Sequence, residues 1–244
     1  MSRYLMKIKY DGSRYHGWQV QDNALTVQVE VQNALEAIIG TRPNVTGCSR
    51  TDSGVHAKEY CFHFDSDLDL SGEAYVKAMN TKLPQDISAF YCEKKDDEFH
   101  SRYSVKSKRY EYCFFDGDVR DPFYSKYSWF MKQKLDENLL DKAAKEFIGT
   151  YDFSGFCASG SSVKDTVRTV FDAGVKRIGD TVIFYVEADG FLYNMVRIMA
   201  GTLYFVSLGK IAVDDIKNII ESKNRDNAGV TAPANGLFLT KVNY

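Results

Sequence analysis

Cysteine and proline are scarce in this chain, and long apolar segments are missing. Its 244 residues include five cysteines and four prolines. The cysteines are odd in number and none has C-x-x-C spacing, which argues against a disulfide framework and a zinc site. The best apolar run, residues 199–208, is shorter than the roughly 18 residues of a membrane span, and the N-terminus lacks the apolar segment of a secretory signal. These absences predict a soluble protein of a reducing compartment, the cytoplasm.

Net charge is also low. The formal charge is −2, whereas nucleic-acid-binding domains are usually basic overall. Residues 100–110 nevertheless contain four basic residues and no acid, namely Arg102, Lys106, Lys108 and Arg109. Such a segment can attract phosphates locally, and it can equally be an ordinary solvated face. The solvated face is the favoured interpretation of a second basic group, formed by Lys164, Arg168, Lys176 and Arg177.

Motifs for metals and nucleotide cofactors are missing as well. No His and Cys residues stand at metal-ligand spacing. Neither the phosphate-binding pattern G-x-x-x-x-G-K-S/T nor the dinucleotide pattern G-x-G-x-x-G occurs. We therefore expect no metal and no organic cofactor. His56 is expected to pack or to form hydrogen bonds near the loop that precedes it.

What is present is a pattern of strands and helices that occurs twice. The first half predicts strands at 4–10, near 45, at 56–64 and at 87–92, with helices at 27–39 and 72–83. Thr26 and Ser71 are the expected N-caps, and Gly40 follows the first helix. The second half predicts strands at 109–115, 166–177, 181–187 and 237–242, with helices at 137–148, 191–206 and, as an extra element, 214–222. The turn Ile178-Gly179-Asp180 predicts a hairpin.

Both halves read β-α-β-β-α-β, which predicts an α+β fold of two tandem ferredoxin-like (split β-α-β) halves with mixed or antiparallel sheets. The predicted domains are residues 1–104 and residues 105–244. A ligand cleft, to which both halves contribute side chains, is expected between them.

The most informative segment is the run from residue 47 to residue 57, GCSRTDSGVHA. It places Arg50 and Asp52 two residues apart in a turn bounded by glycines, directly before an alternating segment. Small and turn-forming neighbours favour a carboxylate held on a loop. Taken alone, Asp52 is more simply a turn residue that accepts hydrogen bonds from its own backbone.

This segment resembles the signature of the tRNA pseudouridine synthase A family, whose catalytic residue is the aspartate. Cys48, Ser49 and Ser53 depart from the usual signature by small substitutions, and Tyr151 stands where many members have histidine. Further blocks resemble the family in the expected order from residue 4 to the C-terminus: residues 10–21 with 26–28, residues 99–104 with 108–112, residues 151–156, residues 191–197 and residues 232–239.

The resemblance implies a reaction that breaks the N-glycosidic bond of uridine, turns the uracil and rejoins it through carbon. A carboxylate can stabilise or attack the resulting sugar cation, or remove a proton from the sugar. Since nothing is hydrolysed, one carboxylate is sufficient, and Asp52 is the expected catalytic residue. Which of the three steps Asp52 performs stays open.

The resemblance also implies roles for four other residues. Arg197 would pair with Asp52 in a dry pocket and keep it ionised, although an arginine at a helix edge can simply extend to solvent. Tyr110 would stack on the extruded uracil, although its alternating strand also fits a core aromatic. Arg50 would contact the RNA or form a salt bridge across the turn. Leu237 would line the pocket or belong to the core.

By resemblance, the enzyme is an isomerase that modifies uridines 38, 39 and 40 in the anticodon stem-loop of tRNA, acts as a homodimer and binds no membrane. Two alternatives remain open at this point. One is an RNA-binding module without catalysis, for which the combination of Asp52, Tyr110 and Arg197 would be unexpected. The other is a hydrolytic nucleosidase, which would need a water-activating group beside the aspartate.

Overall fold

Contacts divide the chain into two units. A computed structural model describes residues 1–161 and 163–244. The first unit consists of Met1–Lys106 and Leu239–Tyr244, and the second of Ser107–Phe238. The last six residues thus lie in the first unit, whereas the sequence analysis assigns them to the second half.

The first unit contains a sheet and two helices. Its sheet order is β4-β1-β3-β10, and β2 pairs with β3. In chain order the elements are β1 (Ser2–Tyr10), α1 (Val27–Ile39), β2 (Val45–Gly47), β3 (His56–Ser66), α2 (Gly72–Asn80), β4 (Ile87–Lys95) and β10 (Leu237–Asn243), of which residues 239–243 lie in this unit.

The core of the first unit follows from the period of each element. Alternate residues of β1, Tyr4, Met6 and Ile8, are fully buried, as expected for one face of a strand. Helix α1 buries a stripe at helical spacing, from Val27 to Leu35. Aromatic rings pack within this core, and Phe64 of β3 contacts the ring of Tyr4.

The helix ends confirm two of the three predicted caps. Gly40 ends α1 in the left-handed conformation at φ 87°, and the Ser71 hydroxyl accepts a hydrogen bond from the Ala74 N–H at 3.2 Å. Thr26 occupies the N-cap position of α1 but its side chain does not cap the helix. Its hydroxyl is instead buried without a hydrogen-bond partner.

The second unit repeats the split β-α-β arrangement with additions. Its sheet order is β5-β9-β8-β7, and the short strand β6 runs parallel to β5. In chain order the elements are β5 (Ser107–Phe115), β6 (Trp129–Phe130), α3 (Glu137–Lys145), β7 (Gly149–Asp152), β8 (Val167–Ile178), β9 (Thr181–Ala188), α4 (Met195–Ser207) and α5 (Asp215–Ser222).

These elements confirm the predicted α+β class and the tandem split β-α-β pattern. The hairpin at Gly179 joins β8 to β9 as predicted. Helix α4 begins at Met195, four residues later than predicted, because Asn194 has the left-handed conformation at φ 60°. The strands β6 and β7 were not predicted, since two and four residues are too short for a visible alternation. Among the described helices, none combines the length and the apolarity that crossing a membrane requires.

Candidate active site

The loop between β2 and β3 carries Arg50 and Asp52. Asp52 is half-buried, whereas Arg50 is exposed. The loop closes on itself through the Val55 N–H, which donates to the Asp52 carbonyl at 3.2 Å. Gly54 has φ 80°, a conformation that residues with a side chain rarely adopt. The local sequence therefore produces the predicted tight turn, with the carboxylate near its tip.

A second loop, between β1 and α1, holds the Asp52 loop in place. The Trp18 N–H donates to the Thr51 carbonyl at 3.3 Å, and the Gly54 N–H donates to the Tyr15 carbonyl at 3.1 Å. The hydroxyls of Tyr10 and Thr51 are 2.9 Å apart in a buried hydrogen bond. Three hydrogen bonds from one segment thus position the residues on either side of Asp52.

Two glycines permit this close approach. A Cβ on Gly17 would lie 2.2 Å from the Thr51 carbonyl oxygen, and one on Gly12 would lie 2.0 Å from the Val55 carbonyl oxygen. Both distances are impossible for a real side chain. The glycines of the N-terminal block are therefore needed because two backbones meet, and Gly17 additionally has φ 83°.

Buried groups support the loop from behind. The ring of Trp18 stacks on Tyr60 at 4.2 Å, and the Tyr60 hydroxyl donates to the Ser49 carbonyl. His56 is 1% exposed, and its Nδ1 accepts the Gly12 N–H at 3.0 Å. This geometry agrees with the expectation that His56 forms hydrogen bonds behind the loop. Cys48 is fully buried at the start of the loop.

Arg197 lies in the first turn of α4 and is hydrogen-bonded within the second unit. Its Nε donates to the Ala232 carbonyl at 2.7 Å, and its Nη1 donates to the Asn194 Oδ1 at 2.8 Å. The Ala232 N–H returns a hydrogen bond to the Arg197 carbonyl at 3.1 Å. The guanidinium is therefore held by protein groups and does not extend freely into solvent.

The segment that follows Ala232 is anchored along its length and ends at Leu237. The Tyr112 hydroxyl donates to the Pro233 carbonyl at 2.8 Å. The Asn235 side-chain amide donates to the Ser125 and Ser128 carbonyls at 2.8 and 2.9 Å. Burial raises the pKa of Tyr112, and the charge of Arg197 opposes that rise. Leu237 is 5% exposed where β10 begins.

Tyr110 lies on β5 with its ring almost fully buried. It is 6% exposed, and its ring meets Phe191 edge-on at 5.1 Å. Phe191 belongs to the same block as Arg197, in the loop that leads to α4. The structure thus places Tyr110, Arg197 and Leu237 in the second unit, and Arg50 and Asp52 in the first. The predicted pairing of Arg197 with Asp52 stays a prediction.

Sequence reasoning missed the residues that position the Asp52 loop and the segment after Ala232. Tyr10, Trp18 and Tyr112 stood inside the blocks quoted for the resemblance, but no role was assigned to them. Their partners are remote in sequence, so no local pattern could have shown them. Within the parts of the chain that the structure describes, no group of three or more His, Cys, Asp and Glu side chains could hold a metal ion.

Comparisons with known proteins agree with the signature. A family model described as tRNA pseudouridine synthase matches residues 143–244. Over the whole of both chains, the protein is 43% identical to a tRNA pseudouridine synthase A of Thermoanaerobacter sp. (strain X514). It is 44% identical to one of Acetivibrio thermocellus, over 97% of each chain, and 40% identical to one of Staphylococcus aureus (strain MRSA252), over 98% of this chain and 91% of the relative.

Identity of this degree over the full length exceeds what a shared fold alone requires, and the signature loop around Asp52 lies inside the aligned region. The chain belongs to the tRNA pseudouridine synthase A family.

Proposed function

We propose that this protein isomerises uridine to pseudouridine at positions 38, 39 and 40 of the tRNA anticodon stem-loop, with Asp52 as the catalytic carboxylate. The observation that carries the proposal is the Asp52 loop. Thr51 is hydrogen-bonded to Trp18 and Tyr10, and the Gly54 N–H donates to the Tyr15 carbonyl. Asp52 itself is half-buried.

A carboxylate in such a place suits the reaction. Departure of the uracil leaves positive charge on the sugar, which a fixed negative group stabilises more strongly than mobile water does. The carboxylate can also attack the sugar or remove a proton from it. The uracil then rejoins the same sugar carbon through its own C5, so no water enters and no second carboxylate is required.

The other site residues take the roles that the family resemblance implies. Tyr110 stacks on the extruded uracil, and a planar ring lets the base rotate while it is held. Arg197 keeps the carboxylate ionised, Arg50 contacts the RNA near the flipped nucleotide, and Leu237 lines the uracil pocket. Tyr110 and Leu237 are both nearly buried, which supports an apolar pocket. We further infer that the protein is a homodimer and that tRNA crosses from one subunit to the other. Light scattering of the purified protein tests the dimer.

The deciding experiment uses an in vitro transcribed tRNA with uridines at positions 38 to 40. Asp52→Asn keeps the shape of the side chain and removes its charge, so we expect product formation to fall by about 10⁴-fold or more while tRNA binding persists. Asp67→Asn removes a highly exposed carboxylate of the same unit and is the matched control. Pseudouridine is mapped by position, and free uracil is measured in parallel.

Each outcome decides between the candidate functions. Pseudouridine confined to the anticodon arm and lost in Asp52→Asn supports the proposal. Product elsewhere in the tRNA would overturn the substrate assignment but keep the chemistry. Tight binding with no product would identify a silent RNA-binding module, and release of uracil would identify a nucleosidase.

A further inference from the structure

An exposed aromatic ring stands on the first unit, directly after β4. The Tyr103 side chain is 78% exposed, although a tyrosine ring usually covers part of the protein surface. It stacks on His100, with ring centroids 4.3 Å apart and planes inclined by 27°. Arg102 is exposed between them in sequence. We call His100, Arg102 and Tyr103 the stacking patch.

The backbone fixes the orientation of the patch. The Nδ1 of His100 accepts the N–H groups of Arg102 and Tyr103 at 3.2 and 3.3 Å. The Ser104 N–H closes the turn by donating to the His100 carbonyl at 2.9 Å. The His63 ring packs edge-on against the His100 ring, with centroids 5.0 Å apart. One ring is therefore presented to solvent on a rigid base.

Charged groups of both signs surround the patch, and Arg102 is the cation within it. Burial, followed by the charges of Arg102 and Arg3, lowers the pKa of His100. Arg3 is paired with Asp65, whereas residues 99–110 contain no acid. The acidic residues Asp96, Asp97 and Glu98 come just before, and Asp97 acts electrostatically on Arg3.

We propose that the stacking patch binds an unpaired base of the RNA other than the uridine that is isomerised, with Tyr103 stacking on the base and Arg102 contacting the adjoining phosphate. A rigid exposed ring beside a cation is how proteins hold single-stranded nucleotides without reading their sequence. The inference rests on the proposed function, because it takes tRNA as the ligand.

The patch is separate from the catalytic loop. His63, against which it packs, lies seven residues along β3 from His56, and His56 follows the Asp52 loop. At the rise of a strand, this separation amounts to about 20 Å. A base on Tyr103 is therefore not the base that reacts at Asp52, and the patch serves to orient the tRNA.

The test compares ring removal with ring retention in the full chain. Stacking contributes roughly 1–3 kcal/mol per base, so Tyr103→Ala is expected to raise the Kd for the tRNA transcript between about fivefold and 150-fold. Tyr103→Phe keeps the ring and is expected to bind within about twofold of the unchanged protein. Phe123→Ala removes another highly exposed ring, on the second unit, and is the matched control. The Kd and the turnover of Phe123→Ala should both stay at the values of the unchanged protein.

Two further measurements identify the contacts. Arg102→Gln should reduce the slope of log Kd against log salt by about 0.7, the value for one phosphate contact to a single strand. A photoreactive benzoylphenylalanine at position 103 should cross-link to an unpaired nucleotide distinct from the target uridine. A cross-link to a paired stem or to the target uridine, or no cross-link, would overturn the proposal.

Different results would refute the patch proposal and the proposed function. If the unchanged protein forms pseudouridine and Tyr103→Ala binds tRNA equally well, the patch is not a base-binding site and the proposed function stands. If the unchanged protein neither binds nor modifies tRNA, the proposed function is wrong and the patch proposal falls with it. Equal losses in Tyr103→Ala and Tyr103→Phe would indicate a role of the hydroxyl instead of stacking.

Discussion

Single residues in this protein depend on partners far along the chain. The Thr51 hydroxyl, next to Asp52, is hydrogen-bonded to the Tyr10 hydroxyl, and His63 is hydrogen-bonded to the Ser101 hydroxyl. In both pairs the polar groups are buried, and a buried polar group without a partner destabilises the fold by roughly 1–3 kcal/mol. The position of Asp52 thus depends on residues that have no part in the chemistry.

His63 predicts how stability depends on pH. Burial and the charges of Arg3 and His100 lower its pKa from 6.5 to about 4. Below pH 6.5 the unfolded chain gains a proton here, while the folded chain does not until about pH 4. The free energy of unfolding should therefore fall by up to about 3 kcal/mol as the pH drops through this window. Denaturant unfolding between pH 8 and pH 4 measures it.

The control for this prediction is a second histidine. His63→Gln should be less stable at pH 8 but should lose less stability between pH 6.5 and pH 4 than the unchanged protein. His16→Gln removes an exposed histidine and should keep the full pH dependence. An equal pH dependence in the His63→Gln protein would contradict the assignment.

At the scale of elements, the two loops of the catalytic region are built against each other. The Trp18 backbone N–H of the N-terminal loop donates to the Thr51 carbonyl, and the Gly54 N–H of the Asp52 loop donates to the Tyr15 carbonyl. Glycine is required where the two backbones approach, at Gly12 and Gly17. A change in one loop is therefore expected to alter the other.

Gly17→Ala and Gly40→Ala separate this contact from backbone strain. Both glycines have left-handed φ values, 83° and 87°, so either substitution should destabilise by roughly 1–2 kcal/mol. Only at Gly17 would the new Cβ collide with another residue, the Thr51 carbonyl, whereas nothing lies within 4 Å at Gly40. We expect a larger fall in melting temperature for Gly17→Ala.

Turnover gives the sharper comparison of the two variants. Displacement of the Asp52 loop by about 1 Å can cost roughly 100-fold in rate, so Gly17→Ala should lower kcat strongly while Gly40→Ala keeps it near that of the unchanged protein. Equal kcat values in single-turnover assays would show that the loops are not coupled.

For the whole molecule, the end of the chain belongs to the first unit. Leu239 and Val242 are buried, the Val242 N–H donates to Glu59 at 3.2 Å, and the Tyr244 hydroxyl donates to the Ser101 carbonyl at 3.0 Å. Two buried aliphatic side chains stabilise by about 1.5–3 kcal/mol each. The first unit therefore requires residues 239–244, which follow the second unit in the sequence.

Removal of residues 239–244 should selectively destabilise the first unit. The chain has two tryptophans, Trp18 in the first unit and Trp129 in the second, so a Trp129→Phe background makes fluorescence report on Trp18. In that background the truncation should lower the melting temperature by well over the 2–4 °C expected for about 1 kcal/mol. Tyr244→Phe, which removes one hydrogen bond, should lower it by only about that amount. An unchanged Trp18 transition after truncation would contradict this view.

Local sequence was sufficient for most elements and failed where the reason was not local. The boundaries of α1 follow from its apolar stripe and from Gly40, whose left-handed conformation ends the helix. Thr26 has the right type for an N-cap and occupies that position, yet its buried hydroxyl forms no hydrogen bond to the helix. Helix α4 starts later than predicted because Asn194 has the left-handed conformation. The apolar pattern continues on the N-terminal side of this residue, so it does not mark the start of the helix.

The candidate site divides in the same way. The sequence by itself determined the turn around Asp52, the alternation of buried and exposed residues in the strands, and membership of the family, because turn chemistry, side-chain period and a long motif are all local properties. Only the tertiary structure decided that Tyr10 and Trp18 anchor Thr51, that the last six residues complete the first unit, and that Tyr103 stands exposed on His100. The first two features depend on strand register and on backbones that approach from distant parts of the chain, so no short segment encodes them. The stack of Tyr103 on His100 depends instead on the turn that joins them, which hydrogen bonds to His100 hold.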